Sequence, residues 1–275
     1  MLALALRRRT DYRLFYLAHH FAIFFLVVAV VHAWTHWYYA CGGLVLWFYD
    51  RLVRIVRRSG PARLLSAAHD RELGVTRLEF AEDSVPAGGR RAGQYCWLAL
   101  DGEACEWHPF TVSSSPASGT VTFHISEAGE GAFTNRLARA VLGRGENGVR
   151  FALDGPYGRA PDPSSRECLV LVAGGIGITP MHSVLEELLL GGVPDGAPLR
   201  RVILLWSARS GKMFGMYAET LARKSEQFSL DLRLHLTRDE APEARWACFA
   251  RDGESPTEAE RRIYRYNEKD EPEVE

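Results

Sequence analysis

The longest uncharged segment of the chain is the feature that most limits how it can fold. Leu14 to Tyr49 contain no Lys, Arg, Asp or Glu, a run of 36 residues. As an α-helix rising about 1.5 Å per residue, this run would be about 54 Å long, which suits two short membrane crossings better than one. Arginines flank the run at positions 7–9 and 13 and at 51, 54, 57 and 58. Because basic flanks stay cytoplasmic, a helical hairpin that turns between Ala33 and Ala40 is expected.

An alternative interpretation of the same run is one crossing. It would extend from about residue 14 to 34 and be followed by a helix in the membrane interface. In the hairpin, aromatic residues near the turn would instead form a belt at the outer membrane surface. These residues are Trp34, Trp37, Tyr38 and Tyr39.

Histidines are unusually frequent within the uncharged run, at positions 19, 20, 32 and 36. An imidazole in hydrocarbon costs free energy unless it has a partner. Two roles stay open: hydrogen bonds to neighbouring helices, or axial ligation of haem iron by a neutral ring nitrogen. His32 and His36, four residues apart, share a helical face better than His19 and His32 do, so spacing alone selects no pair.

Beyond residue 60 the pattern changes from apolar runs to alternation of apolar and polar residues. Strands are predicted over Val75–Phe80, Gln94–Leu100 and Thr120–Ile125, separated by Pro, Gly and Asp. This alternation predicts an antiparallel β-barrel. A helix is expected over Asn135–Leu142, with Thr134 as its N-cap and unpaired backbone N–H groups that favour a pyrophosphate.

One hydroxyl-rich stretch, His108-Pro-Phe-Thr-Val-Ser-Ser-Ser-Pro116, lies within this region. Its alternation is typical of a strand, and the hydroxyls of Thr111, Ser113 and Ser114 are short donors for a flat polar ring such as a flavin. An ordinary serine-rich turn is the alternative.

The third region has the pattern of alternating strands and helices. An apolar strand, Glu167–Val172, leads into Gly174-Gly-Ile-Gly177, and a helix is predicted next with Thr179 as cap and Pro180 at its first position. Glycines let a backbone approach a dinucleotide phosphate closely, and a helix start stabilises its charge. Further strands are predicted over Arg201–Trp206 and Ser229–Leu236.

Three motifs in this order carry a family resemblance: His108-Pro-Phe-Thr111, Gly155-Pro-Tyr-Gly158 and Gly174-Gly-Ile-Gly-Ile-Thr-Pro180. They resemble the transmembrane ferric reductase and NADPH oxidase superfamily over about residues 5–240, whose cytosolic half is like ferredoxin-NADP reductase. The resemblance implies a multi-domain chain. Its parts are transmembrane helices over 1–60, an FAD-binding β-barrel over 61–165, a partial Rossmann-like NAD(P)-binding α/β domain over 166–240, and a charged tail over 241–275.

The resemblance also implies the cofactors FAD, NADPH and haem b, and the residues that bind them. The expected flavin residues, from motif and resemblance, are His108, Pro109, Phe110, Thr111, Ser113, Ser114, Gly131, Thr134 and Gly155. The expected nucleotide residues are Gly174, Gly175, Gly177, Thr179, Pro180 and Arg209. Arg209 stands where relatives often contact a 2′-phosphate, which favours NADPH over NADH, with a surface arginine as the alternative. The haem ligands that the resemblance selects are His19 and His32.

Together, the parts implied by the resemblance predict a multi-pass oxidoreductase of the plasma membrane or an organelle membrane. Its reductase domains would be cytoplasmic. Electrons would pass from NADPH through FAD and haem b to an acceptor across the membrane. Ferric chelate is favoured over dioxygen because the expected outer turn is short, whereas the resemblance implies a longer connection between these two helices in the oxidases of the superfamily. The alternatives are superoxide production, a flavin reductase merely tethered to lipid, and a truncated non-catalytic subunit.

Two departures from the family pattern lead to the expectation that the sequence is part of a longer protein. Relatives take a second histidine for each haem from an earlier helix, and none precedes Met1, so another chain is the alternative source. The family's later Cys-Gly-Pro also has no counterpart, because Phe249 follows Cys248.

Composition excludes several other classes of protein. The five cysteines include no Cys-x-x-Cys pair, so neither a disulfide framework nor a zinc cluster is indicated. Basic residues flank the apolar run rather than forming an exposed stripe, which argues against nucleic-acid binding. From Asp239 onward, twelve acidic residues stand against six basic ones, and this tail is predicted to be disordered.

Overall fold

The computed structural model describes residues 12–33, 35–57, 62–85, 89–100, 106–144, 149–159, 162–163 and 165–237. The chain divides into two compact units, Met1–Arg57 and Arg58–Glu275. The predicted disordered tail, 241–275, lies outside the described residues.

The described residues of the smaller unit, 12–33 and 35–57, form two helices, α1 (Tyr12–His32) and α2 (His36–Arg57). The second helix begins inside the predicted turn, so Trp37, Tyr38 and Tyr39 lie in its first turns rather than in a loop. Along 12–57, no helix combines enough described length with enough apolar character to cross a bilayer. The transmembrane hairpin therefore stays a prediction.

The all-β half of the larger unit begins at residue 62 and contains two antiparallel sheets. Its strands are β1 (Leu64–Asp70), β2 (Val75–Ala81), β3 (Tyr95–Leu100), β4 (His108–Thr111), β5 (Thr120–Ser126) and β6 (Phe151–Tyr157). One sheet has the order β1-β2-β5 and the other β4-β3-β6. The three strands predicted from alternation are confirmed to within one residue.

Fully buried side chains from both sheets form one apolar core. The ring of Phe80 meets Phe123 and Phe151 edge-on, with centroids 5.9 and 5.4 Å apart. A helix, α3 (Phe133–Arg144), contributes Phe133, Leu137 and further residues one turn apart to the same core. Aromatic edge-to-face contacts of this kind stabilise a core beyond the area that they bury.

The predicted closed barrel is not seen among the described strands, which form two separate hydrogen-bonded sheets. Single bonds connect the sheets, from Ala62 N to Phe151 O at 3.1 Å and from Ser113 N to Thr122 O at 2.8 Å. The strand that would complete one seam, β4, has four residues, and Pro109 within it has no N–H to donate.

The α/β half of the larger unit has a parallel sheet of order β7-β8-β9. Its elements are β7 (Cys168–Gly174), α4 (Thr179–Leu190), β8 (Arg201–Ala208), the short helices α5 (Lys212–Gly215) and α6 (Ala218–Leu221), and β9 (Ser229–Leu236). Each segment of this half that was predicted to be a strand or a helix has that secondary structure. The helix α4 ends at Leu190, before Gly191, and Gly192 adopts a left-handed φ of 76°.

The two halves meet where α4 lies along residues 113–118, which lead out of β4 and are called the junction segment below. Ser183 Oγ donates to Ser114 O at 2.8 Å, and Ser115 N donates to Glu186 Oε2 at 2.6 Å. His182 contacts the Ser113 carbonyl oxygen through Nδ1 at 2.7 Å. One face of α4 therefore binds consecutive backbone groups of the segment.

A buried arginine, Arg90, holds the same segment from the other side. Its side chain is 1% exposed and pairs with Glu82 at 2.8 Å. The guanidinium also donates to the carbonyl oxygens of Ser114, Ser115 and Thr120 at 2.6, 2.9 and 3.0 Å. Only a planar group with five N–H donors can meet all of these acceptors together.

Replacing Arg90 by Lys is expected to lower the free energy of unfolding by about 3 kcal/mol, because one ammonium leaves buried acceptors without donors. Thermal unfolding of both variants would measure the effect. The control is Arg63→Gln, which breaks a pair with Asp83 whose side chains are 67% and 70% exposed. That exposed pair is expected to contribute less than about 1 kcal/mol. Equal losses in the two variants would contradict a structural role for Arg90.

Two histidines near the junction segment are held in their neutral form, His182 buried and His124 half-buried. Burial lowers the pKa of His124 to about 3 and the pKa of His182 to about 4. In the unfolded chain both are expected to titrate near a pKa of about 6.5. Between these values the unfolded chain binds more protons than the folded protein does, so stability must fall as pH decreases.

We therefore expect the thermal midpoint to fall as the pH is lowered from 7.5 to 5. The corresponding loss in the free energy of unfolding is about 1 to 2 kcal/mol for each histidine. The variant His182→Asn retains a side-chain amide that can donate to Ser113 O but does not titrate. Its stability should vary less with pH than that of the wild type. A pH profile that is unchanged in this variant would contradict the burial of a neutral His182.

Candidate functional site

The outer face of the sheet β4-β3-β6 is flat and aromatic. Tyr95 pairs with Thr111 and Trp97 with Pro109 across β3 and β4, and Tyr95 also pairs with Tyr157 of β6. Directly paired residues of antiparallel strands lie on the same face. The ring of Tyr95 is 5.9 Å from that of Tyr157 and 6.5 Å from that of Trp97, and all three are half-buried. These five residues are called the aromatic face below.

The four residues of the His-Pro-Phe-Thr motif divide between the two faces of this sheet. Pro109 and Thr111 lie on the aromatic face, whereas Phe110 packs against the core. The ring of His108 stacks on Phe133 with centroids 4.2 Å apart. Strand alternation explains the division, because neighbouring residues point to opposite faces.

An ionic network surrounds His108. Glu106 contacts His108 Nε2 through Oε1 at 3.0 Å and accepts from Arg136 Nη2 through Oε2. Bonds from Arg136 and then from His108 hold the pKa of Glu106 below its usual value. Arg136 is therefore paired with Glu106 beside the ring of His108.

The start of α3 differs from the predicted start. The helix begins at Phe133, so Thr134 lies in its first turn and is not the N-cap. The Thr134 hydroxyl accepts a bond from Ala128 N at 2.8 Å, which holds the preceding loop. Gly131 has a φ of 78°, and a Cβ added there would meet no atom within 4 Å. Open space therefore lies beside Gly131, as a pyrophosphate would require.

Other predicted flavin residues have structural partners. Ser113 Oγ donates to Thr122 O at 2.9 Å, and Ser114 Oγ donates to Thr120 O at 2.7 Å. A Cβ on Gly155 would lie 2.8 Å from Cys96 Sγ, so glycine is needed there for strand packing. The assignment of these three residues to the flavin stays a prediction.

The glycine turn after β7 is open to a ligand. Gly174 and Gly177 are exposed, and a Cβ built on Gly174, Gly175 or Gly177 would meet no atom within 4 Å. Trp206 Nε1 donates to Gly175 O at 3.0 Å and fixes the turn. The space left by the missing side chains fits a dinucleotide phosphate.

Beyond the turn, α4 begins one residue earlier than predicted. Thr179 is its first residue, Pro180 lies in the first turn, and no side-chain bond caps the helix. The predicted capping by the Thr179 hydroxyl is therefore wrong. Backbone N–H groups at this helix start are left for a ligand or water.

Arg209 lies at the same edge of the sheet as the glycine turn. Gly174 pairs with Ser207 across the parallel strands β7 and β8, and Arg209 follows β8 as an exposed side chain. Lys212, the other basic residue just beyond β8, pairs with Glu72. Arg209 is thus the better placed of the two for a 2′-phosphate.

A cavity of about 420 Å³ lies beside the junction segment, between the two halves of the larger unit. Its lining includes Ser113 and His124 from the all-β half and His182, Glu186, Tyr217 and Thr220 from the α/β half. Burial is the largest influence on Glu186 and raises its pKa. No sequence motif indicated this cavity.

The predicted haem ligands both belong to α1. The side chain of His19 lies outside the described residues, and the side chain of His32 is exposed. In the part of the chain that the structure describes, no three His, Cys, Asp or Glu side chains gather as a metal site. The haem assignment stays a prediction.

The aromatic face fits an isoalloxazine ring, because it offers flat rings and the half-buried hydroxyl of Thr111. Sequence analysis missed Tyr95, Trp97 and Tyr157 as members of this face. Alternation in Gln94-Tyr-Cys-Trp-Leu98 was the available signal, since it places Tyr95 and Trp97 on one side of a strand.

Comparison with known proteins agrees with both folds. Residues 88–161 match the family described as FAD-binding domain, and residues 166–267 match the ferric reductase NAD binding domain. A ferredoxin NADP+ reductase from Neisseria gonorrhoeae, solved with FAD and NADP, has a TM-score of 0.52 at 21% identity, covering 66% of this chain and 70% of that one. The CS-b5R domains of human Ncb5or give 0.51 at 23% identity, covering 66% and 52%. At these identities the likeness shows the fold.

Curated relatives include two kinds of oxidase. Dual oxidase 2 of Sus scrofa is 30% identical over 245 residues, 82% of this chain and 15% of that protein. Ferric reduction oxidase 8, mitochondrial, of Arabidopsis thaliana is 28% identical over 246 residues, 86% of this chain and 33% of that protein. The chain thus spans a third or less of the length of these two relatives. Through its FAD-binding and ferric reductase NAD-binding domains, it belongs to the ferric reductase and NADPH oxidase superfamily.

Proposed function

We propose that the protein is a membrane oxidoreductase that carries electrons from NADPH through FAD and haem b to an acceptor across the membrane, most simply a ferric chelate. One observation carries the first part of this proposal. The helix that starts at the open glycine turn is hydrogen-bonded directly to the segment that leaves the aromatic face. The two proposed cofactor sites would therefore be connected through these hydrogen bonds.

In this proposal the aromatic face holds the flavin ring. Thr111 offers a hydroxyl to the ring edge, and Tyr95 and Tyr157 provide flat apolar contact. Gly131 leaves space for the pyrophosphate near the start of α3. Bound FAD supplies the conversion of a two-electron hydride into single electrons.

NADPH is assigned to the carboxyl edge of the parallel sheet. Gly174, Gly175 and Gly177 leave room for its pyrophosphate, and the start of α4 stabilises the negative charge. Arg209 would contact the 2′-phosphate. A charged bond to phosphate is worth about 1.5–3 kcal/mol, enough to select NADPH over NADH.

The haem part of the proposal rests on the superfamily resemblance. His19 and His32 would each provide one axial imidazole, and the exposed ring of His32 is accessible to a partner. Haem b would supply one-electron transfer within the bilayer. The missing second ligands would come from a preceding part of a longer protein or from another chain.

Ferric chelate is proposed over dioxygen as acceptor because only residues 33–35 connect α1 and α2. Superoxide production is the second candidate, favoured by the match to dual oxidases. Oxygen consumption and chelate reduction, compared with and without superoxide dismutase, separate the two. Chelate reduction that the dismutase abolishes would identify superoxide as the primary product.

The full chain, purified in mild detergent and loaded with FAD, is expected to lose its flavin absorbance when NADPH is added without oxygen. In Gly177→Val the new Cβ meets no protein atom within 4 Å, so the fold is expected to persist while the phosphate space is filled. We expect at least about a tenfold weaker NADPH affinity, or about 1.4 kcal/mol. Unchanged affinity would remove the glycine turn from the site. A wild-type flavin that NADPH cannot reduce would overturn the proposed function.

Replacing Arg209 by Ala is expected to weaken NADPH binding about tenfold or more, with little change for NADH, since only NADPH carries the 2′-phosphate. Titration with NADPH and with NADH measures the ratio of the two dissociation constants. The matched control is Arg201→Ala, an exposed change at the opposite end of the same strand, where Arg201 pairs with Asp231. An equal ratio in wild type and Arg209→Ala would refute the 2′-phosphate contact.

A further inference from the structure

His182 connects three elements at the boundary between the two halves. It lies in α4, contacts the Ser113 carbonyl oxygen at 2.7 Å through Nδ1, and contacts Thr220 Oγ1 of α6 at 3.0 Å through Nε2. Its ring stacks on Tyr217 with centroids 3.9 Å apart and is buried. Both ring nitrogens and one ring face are therefore engaged at once.

The direction of these hydrogen bonds follows from the chemistry of the partners. A carbonyl oxygen can only accept, so the Nδ1 atom of His182 must carry the hydrogen. Burial keeps the ring neutral, with a pKa lowered to about 4, so Nε2 is an acceptor and the Thr220 hydroxyl donates to it. The tautomer is fixed by its surroundings.

A second imidazole fixes the position of Ser113 from the other side. Ser113 Oγ donates to Thr122 O at 2.9 Å and therefore accepts from His124 Nδ1 at 2.8 Å. Ser113 is thus bonded to β5 through its side chain and to α4 through its carbonyl oxygen. A displacement of α4 is transmitted to this residue through the bond to His182.

The bond between His182 and Ser113 lies on a short path between the two cofactor sites. Ser113 is two residues beyond Thr111 of the aromatic face, and His182 is five residues beyond Gly177 of the glycine turn. Both residues also line the cavity, so apolar packing between the halves is interrupted beside them. At this point hydrogen bonds, rather than close packing, set the spacing between the all-β half and the α/β half.

We propose that His182 is a positioning residue for hydride transfer, and that its Nδ1–H bond to the Ser113 carbonyl sets the distance between the nicotinamide and the flavin ring. The inference rests on the proposed function, in which NADPH is oxidised to NADP+ while FAD accepts the two electrons with the hydride. His182 itself neither gains nor loses a proton. Misplacement of reacting groups by about 1 Å can slow a reaction about 100-fold, so one such bond is sufficient to matter.

Three substitutions at His182 separate positioning from simple packing. Asn places its amide nitrogen close to the location of Nδ1 and retains a donor to Ser113 O, whereas Gln reaches toward the location of Nε2 and retains only the contact with Thr220. Ala retains neither. Thr220→Val is the matched change on the other side of the ring, because it removes the partner of Nε2 and leaves the Nδ1 bond in place.

The decisive measurement is the rate of flavin reduction after rapid mixing with NADPH, in the full FAD-loaded chain without oxygen. We expect His182→Ala and His182→Gln to lower the limiting rate about 10- to 100-fold, with NADPH affinity within about twofold of wild type. His182→Asn and Thr220→Val should stay within about threefold of the wild-type rate. The thermal midpoints of the same variants show whether a lower rate of flavin reduction simply follows from lower stability.

A readout that does not depend on turnover is the hydrogen exchange of backbone amides in residues 113–118, measured on the protein without NADPH. Exchange should be at least about fivefold faster in His182→Ala and His182→Gln than in wild type, and unchanged in His182→Asn. The protection expected in the Asn variant follows from its retained donor.

The outcomes distinguish the inference from the function on which it rests. If NADPH reduces the wild-type flavin but the rate in all variants simply follows their thermal midpoints, His182 only contributes to packing and the inference is overturned. If NADPH does not reduce the wild-type flavin, the proposed function fails. The exchange pattern then still decides whether His182 holds the junction segment.

Discussion

The structure of the larger unit depends on how the junction segment, residues 113–118, is held from two sides. Arg90 binds three of the carbonyl oxygens in and beside it from the all-β half, and α4 binds its backbone from the α/β half. A buried guanidinium is costly to desolvate and is tolerated only when its donors are satisfied. The pair with Glu82 and the three carbonyl bonds meet that condition.

This arrangement explains why an extended, serine-rich segment can lie inside the protein. Buried backbone groups need partners, and a segment outside regular secondary structure must obtain them from side chains. Ser183 and Glu186 provide them from one side and Arg90 from the other. The aromatic face and the glycine turn are consequently parts of one rigid connection, which is what a transfer between two bound cofactors requires.

Local patterns predicted the elements of the fold and the glycine turn correctly. Alternation identified β2, β3 and β5, and the glycines after β7 indicated an open turn, because these signals lie within a few neighbouring residues. Arg90, His182 and the aromatic face were missed. Arg90 and His182 have their partners 24 and 69 residues away, and no periodicity reports such contacts. Ser113 and Ser114 were predicted to bind the flavin; their hydroxyls donate to carbonyl oxygens of β5, and the flavin assignment stays a prediction.

The close approach of Gly155 to Cys96 has a consequence for chemical durability. Cys96 lies directly beneath the aromatic face, in a strand whose neighbours Tyr95 and Trp97 point toward the proposed flavin. Burial raises the pKa of its thiol to about 12, and the side chain is fully buried. Since the thiolate is the nucleophile that reacts with peroxides, this buried thiol is expected to resist oxidation.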